Sequence, residues 1–257
     1  MHRQAREHRE RFGGRPVHLS SPQGRFAEGA ALLDGQVLER VDAHGKHMFL
    51  GFPAERWVHV HLGLYGKWTT GAEPAPAPRG ALRLRLEGSG AWSDLRGPTA
   101  CRVVDDAEKA AVHARLGPDP LRPDADPDRA WARVSRSRAP IGTLLMDQAV
   151  VAGVGNVYRA EVLYRAGIDP RRPGRELVRE QWDDLWEDLR VLLRAGVRSG
   201  RIVTTAPEDR SRGGRARRED AHYVYRRTGL PCRRCGTPVL HEEMAARNLF
   251  RCPVCQR

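Results

Sequence analysis

The sequence contains no long hydrophobic run. No segment approaches the roughly 18–20 consecutive apolar residues that a membrane-spanning helix requires. The N-terminal segment 1–14 is charged from its second residue, which argues against a secretory signal peptide, and Glu7 and Glu10 argue against a transit peptide. We therefore expect a cytoplasmic protein without membrane association, located at the nucleoid if the source is bacterial.

Positive charge, by contrast, is in clear excess. The 257 residues carry 44 Lys and Arg against 32 Asp and Glu, for a formal charge of +12, and the apolar fraction of 40% indicates a globular chain of one or two domains. Such an excess favours a polyanionic partner, most often a nucleic acid. A basic composition shared by a whole proteome would give the same balance, so charge alone leaves both interpretations open.

The cysteines are concentrated near the C-terminus. Four of the five form the pattern C-x2-C-x16-C-x2-C at Cys232, Cys235, Cys252 and Cys255. This spacing is typical of a zinc ribbon, in which four thiolates bind one structural zinc ion and leave no open coordination position. Two disulfides are the alternative and would require an oxidising compartment. We expect one zinc ion and no organic cofactor, and we expect Cys101 to be a small buried residue.

A motif typical of nucleobase deaminases is matched only in pieces. It requires H-x-E followed by P-C-x-x-C, which occur here at His8–Glu10 and Pro231–Cys235. The two pieces lie more than 200 residues apart, and the second C-x-x-C pair completes a metal site without the histidine. The zinc ribbon is therefore the better interpretation.

Hydrophobic periodicity predicts an α+β protein. Alternation at Val58, Val60 and Leu62 and again over Leu82–Leu86 indicates strands, and favours an N-terminal β-sandwich or barrel over residues 15–104 behind a leading helix, of which we expect the sandwich. The later sequence is helical before it reaches the zinc-finger hairpin. Helices are predicted at 2–12 and near 105–116, 128–136, 140–150, 156–166 and 176–199, with a Pro-rich linker at 117–127 and a mobile Arg-rich segment at 206–220. The predicted domains are 1–104 (β-sandwich), 105–205 (helical) and 206–257 (linker and zinc finger).

Residues 140–166 carry the most informative motif. Their sequence, PIGTLLMDQAVVAGVGNVYRAEVLYRA, predicts a helix, a turn containing Gly153 and Gly155, and a second helix that begins at Asn156. The free N–H groups and the dipole of the second helix suit a phosphate, which the Asn156 amide is placed to bind as well. An ordinary helical hairpin with a glycine turn is the alternative.

Several motifs together resemble the formamidopyrimidine-DNA glycosylase and endonuclease VIII family. MDQAVVAGVGNVYRAEVL at 146–163 is similar to the family's helix–two-turn–helix signature, and the order of sandwich, signature and four-cysteine zinc finger agrees over essentially the whole chain. The dipeptide Leu64-Tyr65 resembles the endonuclease VIII branch more than the formamidopyrimidine branch. Further matching segments are HGKH at 44–47, HLGLYG at 61–66, DLRGP at 94–98 and LGPDPL at 116–121.

The resemblance implies a monomeric base-excision repair enzyme acting on damaged double-stranded DNA. Such enzymes flip the damaged base out of the helix, attack the sugar with an N-terminal proline amine to form a Schiff base, and cut the strand by β- and δ-elimination. By resemblance, Lys46 contacts a flanking phosphate and assists elimination, and Arg247 grips phosphates beside the lesion. The other DNA-contacting residues implied are His61 and Asn156 on phosphates, Leu64 and Tyr65 in the gap left by the flipped base, and Arg96 near the opposite strand.

Several of these assignments have a simpler alternative. Lys46 and Arg247 would be solvated surface charges, and Leu64 and Tyr65 would be packed in a core. The Arg-rich segment Arg210–Arg218 would be disordered rather than in contact with the flipped base.

The sequence departs from the family at its start. Family members begin Met-Pro-Glu-Gly, whereas this chain begins Met1-His2-Arg3-Gln4 and has no counterpart of the catalytic proline and glutamate. Pro16 and Pro22 are internal and have no free amine. Two interpretations stay open: a start codon assigned too late, with Pro-Glu encoded upstream, or a chain without these residues that binds damaged DNA and cleaves it poorly.

The favoured function is a bifunctional DNA glycosylase and abasic-site lyase for oxidised bases, with pyrimidines suggested by the likeness to endonuclease VIII. The alternative is a catalytically silent damaged-DNA-binding protein of the same fold. A zinc-ribbon transcription or translation factor is a third possibility, against which the glycine-turn helix pair and the Leu64-Tyr65 segment both argue.

Overall fold

The computed structural model describes residues 1–211, 214 and 216–257, which form two compact units, Met1–Arg115 and Leu116–Arg257. The domain boundaries predicted after residues 104 and 205 stay predictions. In the first unit the elements are α1 (His2–Phe12), β1 (His18–Ser20), α2 (Ala27–Leu33), β2 (Arg40–His44), β3 (His47–Phe52), β4 (Arg56–His61), β5 (Lys67–Ala72), β6 (Leu82–Gly88), β7 (Ala91–Arg96), β8 (Ala100–Val104) and α3 (Asp106–Ala114). In the second they are α4 (Pro127–Val134), α5 (Ile141–Leu144), α6 (Asn156–Arg165), α7 (Arg179–Ser199), β9 (Leu240–Met244) and β10 (Arg247–Arg251).

The first unit is a sandwich of two four-stranded antiparallel sheets. The first sheet has the order β1-β6-β7-β5 and the second sheet has the order β2-β3-β4-β8. One core contains side chains from both, among them Leu84 and Leu95 from the first sheet and Met48 and Val60 from the second. Because side chains alternate along a strand, the face of the second sheet opposite this core carries the neighbours of Met48 and Val60. The predicted α+β fold with an N-terminal β-sandwich is confirmed.

The helix predicted over 140–150 is wrong in length, because α5 ends at Leu144. Side chains that follow it bond to the backbone and hold two successive turns instead. The Asp147 carboxylate accepts from the Ala149 N–H at 2.8 Å, and the Gln148 amide donates to the Val154 carbonyl at 3.1 Å and accepts from the Gly153 N–H at 3.0 Å. The result is a helix, two turns and a second helix, α6, which begins at the predicted residue.

The linker predicted at 117–127 is packed in its first part. Asp119 is only 1% exposed, and the Pro118 carbonyl accepts a 3.0 Å hydrogen bond from the Ala152 N–H, whereas residues 121–127 are half-buried or exposed. The long predicted helix is confirmed as α7, although it begins at Arg179 rather than near residue 176. Its predicted apolar face is buried: Trp182, Leu185, Trp186, Leu189 and Leu193.

The Arg-rich segment at 206–220 is described only in part, because Arg212 and Arg215 lie outside the described residues. In the described part, Arg210 donates to the Thr205 carbonyl at 2.6 Å, and the Ser211 hydroxyl donates to the Asp220 carboxylate at 2.7 Å. Within the described ranges, no helix combines the length and the apolar composition needed to cross a membrane.

Candidate nucleic-acid interface and zinc centre

Lys46 lies at the tip of the hairpin that joins β2 to β3. The hairpin has a two-residue turn, Gly45-Lys46, flanked by the paired residues His44 and His47. Gly45 has a φ of 58°, the left-handed conformation that such tight turns require and that glycine adopts without strain. The lysine is thereby presented at one end of the second sheet, next to two imidazoles.

His61 ends β4 at the same end of this sheet, directly opposite His47. Burial lowers the pKa of His61, and the nearby positive charge of Lys46 lowers it further. At neutral pH this ring is therefore neutral, and it would contact a phosphate as a hydrogen-bond donor rather than as a cation.

The loop after β4 projects two large side chains into solvent. Leu64 is 73% exposed and Tyr65 is 89% exposed, which excludes the simpler assignment of both to a core. The loop is tight, because the Gly66 N–H donates to the Leu62 carbonyl at 3.0 Å. Gly63 is required there, since its φ is 67° and a Cβ would come within 1.9 Å of the Thr99 hydroxyl oxygen.

Arg96 ends β7 on the first sheet, where it pairs with Lys67 just after that loop. Its guanidinium donates to the buried Asp94 carboxylate at 2.9 Å and to the Arg79 carbonyl at 3.3 Å. Asp94 also accepts two hydrogen bonds from Arg85, at 2.7 and 3.0 Å. The Arg96 side chain is thus fixed by an ion pair within the sandwich.

In the second unit, Asn156 is the first residue of α6, following the N-cap Gly155. Its Nδ2 donates to the Asn248 carbonyl at 2.8 Å, and its Oδ1 accepts a short hydrogen bond from the Arg159 guanidinium. The amide therefore has a fixed orientation, with one Nδ2 hydrogen left over. That hydrogen lies at a helix N-terminus, where free N–H groups and the helix dipole favour an anion.

Arg159 is fully buried, and sequence reasoning missed it. Besides Asn156, its guanidinium donates to the Asn248 carbonyl at 3.0 Å and to the Met244 carbonyl at 3.4 Å. Burial, together with the positive charge of Arg247, lowers its pKa to about 10. Arg159 thus stays charged at neutral pH while it joins the start of α6 to the β9–β10 hairpin.

Arg247 is exposed at the tip of that hairpin, next to Asn248. The turn before it, Ala245-Ala246, has φ values of 52° and 54°, a conformation that the twist of a tight hairpin favours. The structure therefore brings Asn156 and Arg247 together through Asn248 in the second unit. In the first unit it brings Lys46, His61 and the Leu64-Tyr65 loop to one end of the second sheet.

Four cysteine side chains converge between the hairpin and the preceding knuckle. Their Sγ atoms all lie within 4.8 Å of one another, with 3.8 Å between Cys232 and Cys255 and 3.5 Å between Cys235 and Cys252. A tetrahedral zinc ion with Zn–S bonds of about 2.3 Å separates its sulfur ligands by roughly 3.8 Å. The four thiols therefore fit one zinc ion with a complete ligand set. Within the described part of the chain, no other group of three or more histidine, cysteine or acidic side chains converges in this way.

Helix α6 also anchors the chain that leads into the zinc finger. The buried Glu161 carboxylate accepts hydrogen bonds from the backbone N–H groups of Tyr223, Val224 and Tyr225, at 2.7 to 2.9 Å. The Tyr164 hydroxyl lies 3.0 Å from the Cys232 sulfur. The helix and the four-cysteine cluster thus form one packed assembly within the second unit.

Family models match almost the full length of the chain. The formamidopyrimidine-DNA glycosylase N-terminal domain matches residues 4–101, and the H2TH domain of the same glycosylase matches residues 116–207. A zinc finger found in FPG and IleRS matches residues 229–257. The sandwich, the helix–two-turn–helix and the cysteine cluster are thus each assigned to the same kind of protein.

Curated relatives and solved structures agree with this assignment. Endonuclease 8 1 of Mycobacterium tuberculosis is 51% identical over 261 residues, which cover 100% of this chain and 97% of the relative. The formamidopyrimidine-DNA glycosylase of Herpetosiphon aurantiacus is 34% identical over 93% of this chain and 87% of its own length. The Lactococcus lactis Fpg in complex with abasic-site DNA superposes with a TM-score of 0.82 at 21% identity, covering 100% of this chain and 97% of that one. The chain belongs to the formamidopyrimidine-DNA glycosylase and endonuclease VIII family of DNA repair glycosylases, as its motifs predict.

Proposed function

We propose that this protein removes oxidised bases, pyrimidines above all, from double-stranded DNA and cleaves the strand at the resulting abasic site. The family supplies the class of reaction, and the pyrimidine preference rests on the likeness to relatives named endonuclease 8. One zinc ion held by the four cysteines would stabilise the hairpin that carries Arg247, without taking part in the chemistry. We expect the protein to act as a monomer.

The observation that carries this proposal is the exposed Leu64-Tyr65 pair. Extruding a base leaves a gap in the stack, and proteins that distort a duplex fill such gaps with apolar or aromatic wedges. The two side chains are available for this because they are almost unpacked in the protein. Lys46 and His61, at the same end of the sheet, would hold the adjacent phosphates.

The second unit would contribute phosphate contacts of its own. Asn156 has a spare N–H at a helix N-terminus, and Arg247 is an exposed cation that precedes Asn248, whose carbonyl accepts from Asn156. Arg96, which is fixed by Asp94, is the proposed contact near the opposite strand. The Arg210–Arg218 segment is left without an assigned function.

The proposal is tested by replacing the wedge. The double variant Leu64→Ala/Tyr65→Ala should lose most of its preference for a duplex with a stable abasic-site analogue over an undamaged duplex, in a fluorescence anisotropy titration. Leu32→Ala is the matched control, because Leu32 is also an exposed large apolar residue, at 45%, but lies on α2. An unchanged preference in the double variant would contradict the wedge.

Cleavage itself is tested on two polypeptides, because elimination through a Schiff base requires an amine at the sugar C1′. One has the 257 residues printed, and the other carries Pro-Glu-Gly before His2. Borohydride trapping on a duplex with an oxidised pyrimidine should be strong for the extended chain and weak for the printed one. Equal, fast trapping by both would mean that another amine of the printed chain serves as nucleophile. The intact mass and N-terminal residue of the protein from its native host show which form the cell makes.

A further inference from the structure

Histidines are concentrated on the outer face of the second sheet. The register pairs His47 of β3 with His61 of β4, and Phe49 with His59, so that these four rings share one face. Ring centroids are 4.7 Å apart for His47 and His61 and 4.8 Å apart for Phe49 and His59. Five of the ten histidines of the chain lie on this face or on the ends of the elements beside it: His44, His47, His59, His61 and His113.

His47 lies next to two of the proposed phosphate contacts. It follows Lys46 directly in the chain and lies opposite His61 across the strands. His47 is only half-buried, so part of the residue remains accessible to solvent.

The buried edge of His47 is held by His59. The distance from His47 Nδ1 to His59 Nε2 is 2.8 Å, a hydrogen bond in which one imidazole must donate and the other must accept. His59 is only 5% exposed, and its other nitrogen, Nδ1, is buried without a partner among the described residues.

This unpartnered nitrogen selects the direction of the bond. If His47 donated, a neutral His59 would have to carry its hydrogen on Nδ1, which would leave a buried N–H without an acceptor. If His59 donates, its Nδ1 is a bare lone pair, and unsatisfied acceptors are tolerated better than orphaned N–H groups. The arrangement therefore favours a bond from His59 Nε2–H to His47 Nδ1, which puts the hydrogen of His47 on its outer nitrogen, Nε2.

We propose that His47 is a further DNA-phosphate ligand, an uncharged donor whose Nε2–H points to a phosphate oxygen next to that bound by Lys46, and that His59 is the positioning residue that fixes this tautomer. The inference rests on the DNA-binding function proposed above and adds a contact to it. It also gives a role to the buried His59 imidazole, which lies next to the proposed phosphate contacts of the second sheet.

The surroundings keep both rings neutral. Burial, together with positive neighbours, lowers the pKa of His47 to about 3 and that of His59 to about 4. A neutral ring has a defined donor and a defined acceptor, whereas a doubly protonated His47 could not accept from His59. The titratable and charged groups that face the two rings are His44, Lys46, His61, Arg102, His113 and Arg115.

The first experiment compares isosteric and apolar replacements. His47→Phe removes the donor and should weaken binding to a duplex with an abasic-site analogue roughly tenfold, as expected for a lost hydrogen bond to a charged group. His47→Gln retains an N–H near the Nε2 position and should recover most of that loss. His59→Phe should weaken binding in the same direction, and His59→Gln, which keeps a donor to His47, should restore it. His18→Phe is the matched control, because His18 is an exposed histidine of the first sheet.

The salt dependence of binding separates a neutral donor from a cation. Lys46→Ala should lower the slope of log K against log salt by about 0.9, because one phosphate is no longer neutralised by a lysine. His47→Phe should leave that slope unchanged while lowering affinity. A fall in slope of the same size for His47→Phe would overturn the proposal of an uncharged contact, and an unchanged affinity would overturn the contact itself.

A measurement on the unmodified protein covers the case in which the variants unfold. Long-range nitrogen–proton NMR of the imidazoles should show His47 with its hydrogen on Nε2, and that signal should shift on titration with the duplex while His18 does not. A hydrogen on Nδ1 of His47, or no shift at saturating DNA, would overturn the proposal. If the wild-type protein does not bind the damaged duplex at all, the proposed function is wrong. The tautomer of His47, measured without DNA, is independent of that result.

Discussion

The two units differ in the charge of the buried side chains next to their candidate DNA contacts. In the first unit, Lys46 lies at a hairpin tip beside imidazoles that burial keeps neutral. In the second, the contacts Asn156 and Arg247 flank a guanidinium, Arg159, that is buried and charged. Both units use a tight two-residue hairpin turn to present one cation. The buried neighbours are neutral imidazoles in the first unit and a charged guanidinium in the second. This difference predicts how pH, salt and substitutions will affect each unit.

The largest effect is expected from removing a zinc ligand in the second unit. Cys252→Ser should lose stoichiometric zinc and unfold the β9–β10 hairpin, because a structural zinc site contributes about 10–16 kcal/mol of apparent binding free energy to folding. Metal analysis and circular dichroism measure both losses. Cys101→Ser is the control, since Cys101 belongs to β8 of the sandwich and is not one of the four clustered cysteines. Full zinc content in Cys252→Ser would disprove the four-thiolate site.

The buried charge of Arg159 should come next in size. Arg159→Met removes the donor that fixes the Asn156 amide and should weaken DNA binding about tenfold, the cost of losing a charge-assisted hydrogen bond network. In an Asn156→Ala background the same substitution should have much less effect, because the side chain that it positions is gone. Additive losses in this double-mutant cycle would mean that Arg159 does not act through Asn156. Arg190→Met, on the exposed face of α7, is the control.

The neutral imidazoles of the first unit should make it sensitive to acid. The pKa values of His47, His59 and His8 fall from the ordinary 6.5 to about 3, 4 and 4, so between pH 6.5 and about 4 the unfolded chain binds protons that the folded unit does not. Stability is therefore expected to fall as the pH falls through that window. Hydrogen exchange of β3 and β4 amides, corrected for intrinsic rates, measures the loss. His59→Gln should weaken the pH dependence of this amide protection. Protection that does not change with pH in the wild-type protein would contradict the neutral state of the buried histidines.

The exposed cation of the second unit should give the smallest effect. Arg247→Ala should reduce the salt slope of DNA binding by about 0.9 and leave the melting temperature of the free protein almost unchanged, because the side chain is at a solvated hairpin tip. Anisotropy titrations at three salt concentrations and a thermal melt are sufficient. A large fall in melting temperature would show that Arg247 supports the fold instead.

Elements with a strong local signal could be predicted from the sequence. Residue types at fixed spacing are sufficient to predict the apolar face of α7, the capping Asp105 of α3 and the four-cysteine site. The helix assigned to 140–150 failed because Asp147 and Gln148 fit a helical pattern equally well. Only their contacts with the following backbone show that they stabilise turns.

Much of the site depends on contacts between residues far apart in the chain. Arg159 is one of many arginines in the sequence, and no local pattern shows that its guanidinium binds carbonyls 85 and 89 residues away. His47 and His59 are likewise ordinary strand residues until the register places one above the other. The strand β1, with three residues, and the helix α2, with seven, also had no individual prediction, because each is too short for periodicity to show.

Helix α6 has a consequence for how this protein can change. Seven of its ten residues are buried, and they include an arginine, a glutamate and two tyrosines, whereas α7 buries six of twenty-one. In a saturation-mutagenesis library we expect nearly every substitution within α6 to be lost under selection for repair, while the outer positions of α7 accept most residues. Variation in lesion preference would then have to arise in the loops and hairpin tips, while the sequence of α6 stays unchanged.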